Sequence, residues 1–224
     1  TLGACIAAGG AVAAGLLWMA GAGFEAGEKS GEDEEDGRRS ALIRHLWLAY
    51  GAGVAAGLMI IGHASGILKA LDAGERLTVL APVLVALGNM TGGIAAGWCT
   101  DRIGVRAVLT SLPAVSFAAL ILLLTSPGPL LALAALTLTG FAYGAIIAVY
   151  PAAISYLFGP VPGIRAYGRV FTAWGFFGLL LPWLAGYLFD RTGGYDGVLV
   201  IAAVISLVSA AAAWRLPEAS TSPA

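Results

Sequence analysis

The chain has 224 residues, 59% of them apolar and only 11% charged, with a mean hydropathy of +0.87 and a net charge of −1. Soluble domains carry roughly 25% charged residues, so a water-soluble globule is excluded, and the balanced charge offers no basic field for nucleic acid. The 32 glycines are about twice the usual share of roughly 7%, and many lie within apolar runs, where small residues let helices approach one another in lipid. The expected fold class is an all-α polytopic membrane protein.

A helix needs about 20 apolar residues to cross a hydrocarbon layer of roughly 30 Å. Seven stretches qualify in chain order: 2–23, 46–68, 77–100, 104–125, 130–156, 167–189 and 196–216. The first opens on Thr1 without an initiating methionine, which is read as a missing N-terminal portion. The connection 25–44 contains Glu32-Asp33-Glu34-Glu35-Asp36 between glycines and serines. It is too polar to bury and reads as a solvated linker. The other connections are short: Lys69 to Arg76, Asp101 to Ile103, Thr125 to Pro129, Leu157 to Ala166 and Asp190 to Tyr195. The expected organisation is a helix at 1–24, a linker at 25–44, a six-helix bundle at 45–216 and a tail at 217–224.

Lysines and arginines set the orientation. With the linker inside, Lys29, Arg38, Arg39, Arg44, Arg102, Arg106, Arg165, Arg169 and Arg215 are cytoplasmic, and Lys69, Arg76 and Arg191 are external. The C-terminus is then cytoplasmic, and the expected location is the plasma (inner) membrane. Cys5 and Cys99 read as packing residues, without the spacing of a disulfide framework or metal cluster. Neither a metal nor a cofactor is expected.

The end of the third stretch, from Ala96 to Gly104, reads AGWCTDRIG, and the end of the sixth, from Ala185 to Gly193, reads AGYLFDRTG. Both fit Ala-Gly-aromatic-x-x-Asp-Arg-x-Gly, with Asp101 and Asp190 89 residues, or three spans, apart. Two three-helix units carrying one motif on opposite faces form an inverted repeat, the signature of secondary transporters. In this reading Gly97 lets the third helix approach a neighbour, Asp101 caps or faces the next helix N-terminus, and Arg102 and Arg106 pair across a moving interface. The plainer alternative is that Asp101 only caps and the arginines only set topology.

The run Gly97 to Arg106 resembles the cytoplasmic loop motif of the major facilitator superfamily, in its second-half copy. Leu58-Met59-Ile60-Ile61-Gly62-His63, Gly88-Asn89 and the run from Gly140 to Tyr195 resemble the oxalate/formate antiporter family. The resemblance implies that the stretches correspond to family helices six to twelve. The chain then comprises the C-terminal six-helix bundle, built of two inverted three-helix repeats, plus one preceding helix. It further implies transport of small organic anions by alternating access, exchanging or co-transporting. The partners implied are the lipid bilayer and a missing N-terminal bundle of the same protein. The family's cavity-lining helices map to the second, third, fifth and sixth stretches.

Those stretches hold the candidate substrate-binding residues. Asn89 lies at mid-membrane, where an amide needs partners or a solvated cavity. His63 could donate to an anion or carry a proton, or simply bond a neighbouring carbonyl. Tyr143 and Tyr150 are seven apart, hence on nearly one helical face, as ligand donors or as packed aromatics. Trp174 and Gly92-Gly93 stand where oxalate-type members resemble one another in carrying basic residues, which argues against oxalate itself. Gly53/Gly57, Gly62/Gly66 and Gly140/Gly144 read as helix-packing pairs.

Rival classes are a seven-helix receptor and a non-transporting membrane scaffold. A retinal pigment needs a lysine at depth, whereas Lys29 and Lys69 lie outside the spans. An enzyme is not expected: there is no Gly-Lys-Ser/Thr loop, no His-Glu-x-x-His and no buried carboxylate pair.

Overall fold

The computed structural model describes residues 32–125 and 128–217. Among them every element is an α-helix: α1 (Glu32–Ile61), α2 (Ala64–Ala70), α3 (Gly74–Ile103), α4 (Val105–Leu124), α5 (Pro129–Phe158), α6 (Pro160–Thr192) and α7 (Asp196–Trp214). All but the short α2 are long and apolar enough to cross a membrane, matching the last six expected stretches. The stretch 2–23, the linker before Glu32 and the tail from residue 218 lie outside the described residues.

The element boundaries depart from the hydropathy reading in three places. Residues Glu32 to Arg44, expected as open linker, are helical. An acidic run followed by Arg38 and Arg39 suits a helix start, because the N-terminal end of a helix attracts negative charge. The stretch 46–68 is two helices, broken at Gly62-His63, where the His63 N–H bonds the Ile60 carbonyl (3.0 Å) three residues back. The expected loop from Leu157 to Ala166 shrinks to a joint at Gly159, with φ +82°, after which Pro160 opens α6. Proline suits that position, since its missing N–H falls among the unpaired donors of the first turn. At 30–33 residues, α3, α5 and α6 are about 45–50 Å long. They exceed the roughly 30 Å hydrocarbon layer, so polar ends such as Arg165 can be helical outside it.

Inter-helix contacts fix the direction of each helix within the packed unit, which begins at Ile43. The pairs Tyr50–Tyr150 and Gly57–Tyr143 make α1 antiparallel to α5. Val85 against Gly140 and Asn89 against Gly144 make α3 parallel to α5. Trp47 with Thr172 and His63 near Gly186 make α1 parallel to α6. His45 with Ala212, and Arg106 over Trp214, set α7 antiparallel to both α1 and α4. Successive spans therefore alternate in direction, and Asp101 and Asp190 lie at opposite ends of the bundle. The pairing itself is two-fold: α3 with α5 corresponds to α6 with α1, and α4 pairs with α7.

The closest approach is between α3 and α5. A Cβ on Gly92 would run into the Phe141 carbonyl, one on Gly88 into the Thr137 carbonyl, and one on Gly144 into the Asn89 backbone and amide oxygens. A Cβ on Gly140 would lie 2.5 Å from the Val85 carbonyl oxygen. Two Gly-xxx-Gly faces thus interlock, bringing the backbones into van der Waals contact. Gly51 repeats the device between α1 and α6, with Phe177 and Ala173 against it, and it precedes Gly140 by 89 residues.

Polar links set the register of α1. The Ser209 hydroxyl donates to the Ala49 carbonyl (2.8 Å), a ring nitrogen of His45 bonds the Ala212 carbonyl (2.8 Å), and the Trp47 indole N–H donates to Thr172 Oγ1 (2.9 Å). Interhelical hydrogen bonds in bilayers average about 0.6 kcal/mol. The close-packed glycine faces therefore carry most of the association, and the hydrogen bonds choose its register.

Candidate functional site: an aromatic cluster on three helices

Near mid-span, α1, α5 and α6 bring Tyr50, Tyr143, Tyr150, Tyr167, Phe171 and Trp174 together. Tyr50 and Tyr150 rings lie 4.6 Å apart, Tyr167 and Phe171 5.5 Å, and Phe171 stacks on Trp174 at 5.6 Å with planes 8° apart. Residues 167, 171 and 174 follow the i, i+4, i+7 spacing that puts them on one face of α6. Trp174 Nε1–H donates to the Tyr143 hydroxyl at 2.8 Å, while Gly57 presses its bare Cα against the Tyr143 ring. Tyr143 is thereby held from both sides.

The cluster has a buried floor and an open rim. Tyr50 and Tyr150 are sealed, Tyr143 is buried at 7% exposure, Trp174 and Tyr167 are half-buried, and Phe171 is exposed. The Tyr50 hydroxyl is enclosed and makes no hydrogen bond of standard geometry, although it faces the Tyr167 hydroxyl closely enough to interact. Leaving such a group unpaired costs roughly 1–3 kcal/mol. No basic or acidic side chain belongs to the cluster among the described residues. Arg165 and Arg169 are exposed, two residues either side of Tyr167, and thus on the opposite face of α6.

Of the residues expected to bind substrate, the structure joins Tyr143, Tyr150 and Trp174. Asn89 is half-buried on α3, its amide oxygen turned to the bare Gly144. His63 stands apart, thirteen residues and about 20 Å along the helix from Tyr50. Its Nδ1–H donates to the Met59 carbonyl (3.0 Å), and its ring meets Tyr195 edge-on at 5.8 Å. Tyr195 stacks on Phe189 at 4.6 Å and abuts Gly66. Burial, then the charge of Asp190, push the Tyr195 hydroxyl above its ordinary value, keeping it neutral at physiological pH.

Two close-packing expectations are corrected. Among the described residues nothing lies within 4 Å of a Cβ built on Gly97, and Gly62 meets only the Leu58 carbonyl one turn before it; on α3 the close-approach glycines are Gly88 and Gly92. Asp101 is exposed and does not cap α4. Gly104 takes that position at φ +82° with no side-chain cap bond, as a residue without a Cβ can. The repeated motif has a local use at both ends. Arg102 lies over Trp98 (4.2 Å) and Arg191 over Tyr187 (5.2 Å), each four residues on. Gly104 and Gly193 close α3 and α6 with positive φ, donating to the Thr100 (3.0 Å) and Phe189 (2.8 Å) carbonyls. Arg106 extends over Trp214 at 5.0 Å, linking α4 to α7.

Sequence reasoning passed over Tyr50, Gly57, Tyr167 and Phe171 as site residues. Tyr50 and Gly57 are seven apart in α1, the same one-face spacing that singled out Tyr143 and Tyr150.

Six apolar spans of alternating direction, repeated three by three, define a polytopic helical membrane protein of transporter type. Residues 46–224 match the family model of the Major Facilitator Superfamily. The chain belongs to that superfamily and is a membrane transporter. No individual curated protein matches it.

Proposed function

We propose that this chain is the C-terminal portion of a secondary active transporter that carries small organic anions, mono- or dicarboxylates, by alternating access. The observation that carries the reading is the Tyr143–Trp174 pair. It leaves one phenol proton beside an aromatic rim at mid-span, where transporters of this architecture hold substrate between two bundles. A cluster without carboxylates suits an anion, and one without cations suits a small, weakly held one.

The uneven burial of the helices supports a companion bundle. The most apolar stretches of α1 and α5 are 67% and 61% buried, against 28% and 22% for α3 and α6. The N-terminal bundle covers the open faces of α3 and α6, which flank the cluster and carry Asn89 and Trp174. The Asp101 end faces the cytoplasm in this reading, which the lysine and arginine count supports, and there Gly97, Asp101, Arg102 and Arg106 form the gating edge. Exchange and co-transport both use this geometry.

The test is uptake of radiolabelled formate, acetate, lactate and oxalate into proteoliposomes containing the full-length protein. Saturable accumulation of at least one, abolished by the others in excess or by its own unlabelled form, is the expected result. Uptake equal to protein-free vesicles for all four refutes the anion assignment and leaves the receptor or scaffold class.

A further inference from the structure

The hydrogen bond between α5 and α6 has a direction. An indole N–H only donates, so Trp174 is the donor and the Tyr143 oxygen the acceptor at 2.8 Å. The phenol keeps its own proton, and no acceptor takes that proton among the described residues. Neither ring is free to turn: Trp174 is held parallel to Phe171, and the Tyr143 ring is backed by Gly57, where a Cβ would come within 2.7 Å of its Cγ. What remains is one hydroxyl proton, directed away from Trp174, on a residue that keeps 7% of its surface exposed beside the half-buried Trp174.

We infer that Tyr143 is a fixed donor to an acceptor oxygen of the substrate, and that Trp174 is the positioning residue that aims it. The inference rests on the carboxylate reading above, which supplies the acceptor. A hydroxyl that already accepts from an N–H is polarised and donates more strongly onward. Gly57 belongs to the same device, because any larger residue there displaces the Tyr143 ring.

The test uses the full-length protein in proteoliposomes, with whichever of labelled formate, acetate, lactate or oxalate is transported. Tyr143→Phe keeps the ring and removes the proton. Replacing Trp174 with benzothienylalanine keeps the bicyclic stack and puts sulfur in place of the N–H. Hydrogen bonds to charged groups are strong enough that Tyr143→Phe should raise KM about tenfold or more, with a lower ligand-free melting temperature because the Trp174 N–H loses its acceptor. The indole replacement should raise KM about threefold, through lost polarisation and aim, and have no further effect in the Tyr143→Phe background. An unchanged KM in Tyr143→Phe overturns the donor role, as does an indole effect that persists without the phenol; both leave anion transport standing. Absence of transport of all four anions by the unmodified protein overturns this inference together with the function it rests on.

Discussion

Tyr50 separates packing from hydrogen bonding at the cluster. Its ring meets that of Tyr150 at a tilted 4.6 Å contact, yet its enclosed hydroxyl lacks a bond of standard geometry among the described residues. Tyr50→Phe keeps the ring contacts and deletes a hydroxyl whose approach to Tyr167 falls short of a standard hydrogen bond. The ligand-free protein is expected to melt at the same or a higher temperature, with a gain of up to about 1–3 kcal/mol. Loss of stability in a detergent melting series would show that the hydroxyl has a strong partner. Residue-scale features were unevenly legible in the sequence. Tyr143 and Tyr150 stood out by their spacing, and Trp174 only through the resemblance to the oxalate/formate family. The hydrogen bond joining Trp174 to Tyr143 was hidden, because 31 residues and a helix reversal separate them. His63 was visible as a titratable group at depth, but only coordinates show its Nδ1 committed to the Met59 carbonyl.

The glycines act at the scale of whole helices. Gly144→Ala would place a methyl group in the Asn89 carbonyl, which is backbone and cannot rotate away. The helices must part, and overpacking of this kind costs about 1–3 kcal/mol. Gly97→Ala meets nothing within 4 Å and removes a glycine from a helix interior, a gain of up to about 1 kcal/mol. Thermal melting of the two variants should therefore shift in opposite directions; equal destabilisation would contradict the packing described. Composition showed that glycine mattered, and Gly140/Gly144 was read correctly as a contact pair. Gly88 and Gly92 were not read that way, and Gly97 and Gly62 were credited with contacts they lack. Which glycines touch depends on helix rotation, and spacing alone leaves several faces open. The break at Gly62-His63 was equally hidden, since a shift of one hydrogen bond from i−4 to i−3 leaves an apolar run unchanged.

For the whole molecule, the six spans and the inverted motif were legible because hydropathy and a charged nonapeptide are local signals. The two-fold pairing of α3 with α5 and α6 with α1 was not, because it depends on long-range contacts. Asp101 makes no cap in this structure, which leaves its carboxylate exposed at the end assigned to the gate. Asp101→Asn is expected to slow transport several-fold by shifting the balance between the two access states, with substrate affinity in a state locked by cross-linking preserved. Unchanged uptake would remove Asp101 from gating.

Alternating access at the cluster is the central claim, and accessibility from each side of the membrane tests it most directly. With every native cysteine replaced, Cys5 and Cys99 among them, a single cysteine at Asn89 in the full-length protein is exposed to a membrane-impermeant thiol reagent from either face of sealed vesicles. The account predicts labelling from both faces and protection by the transported anion. Labelling from one face only, or labelling that the anion leaves unchanged, would contradict it.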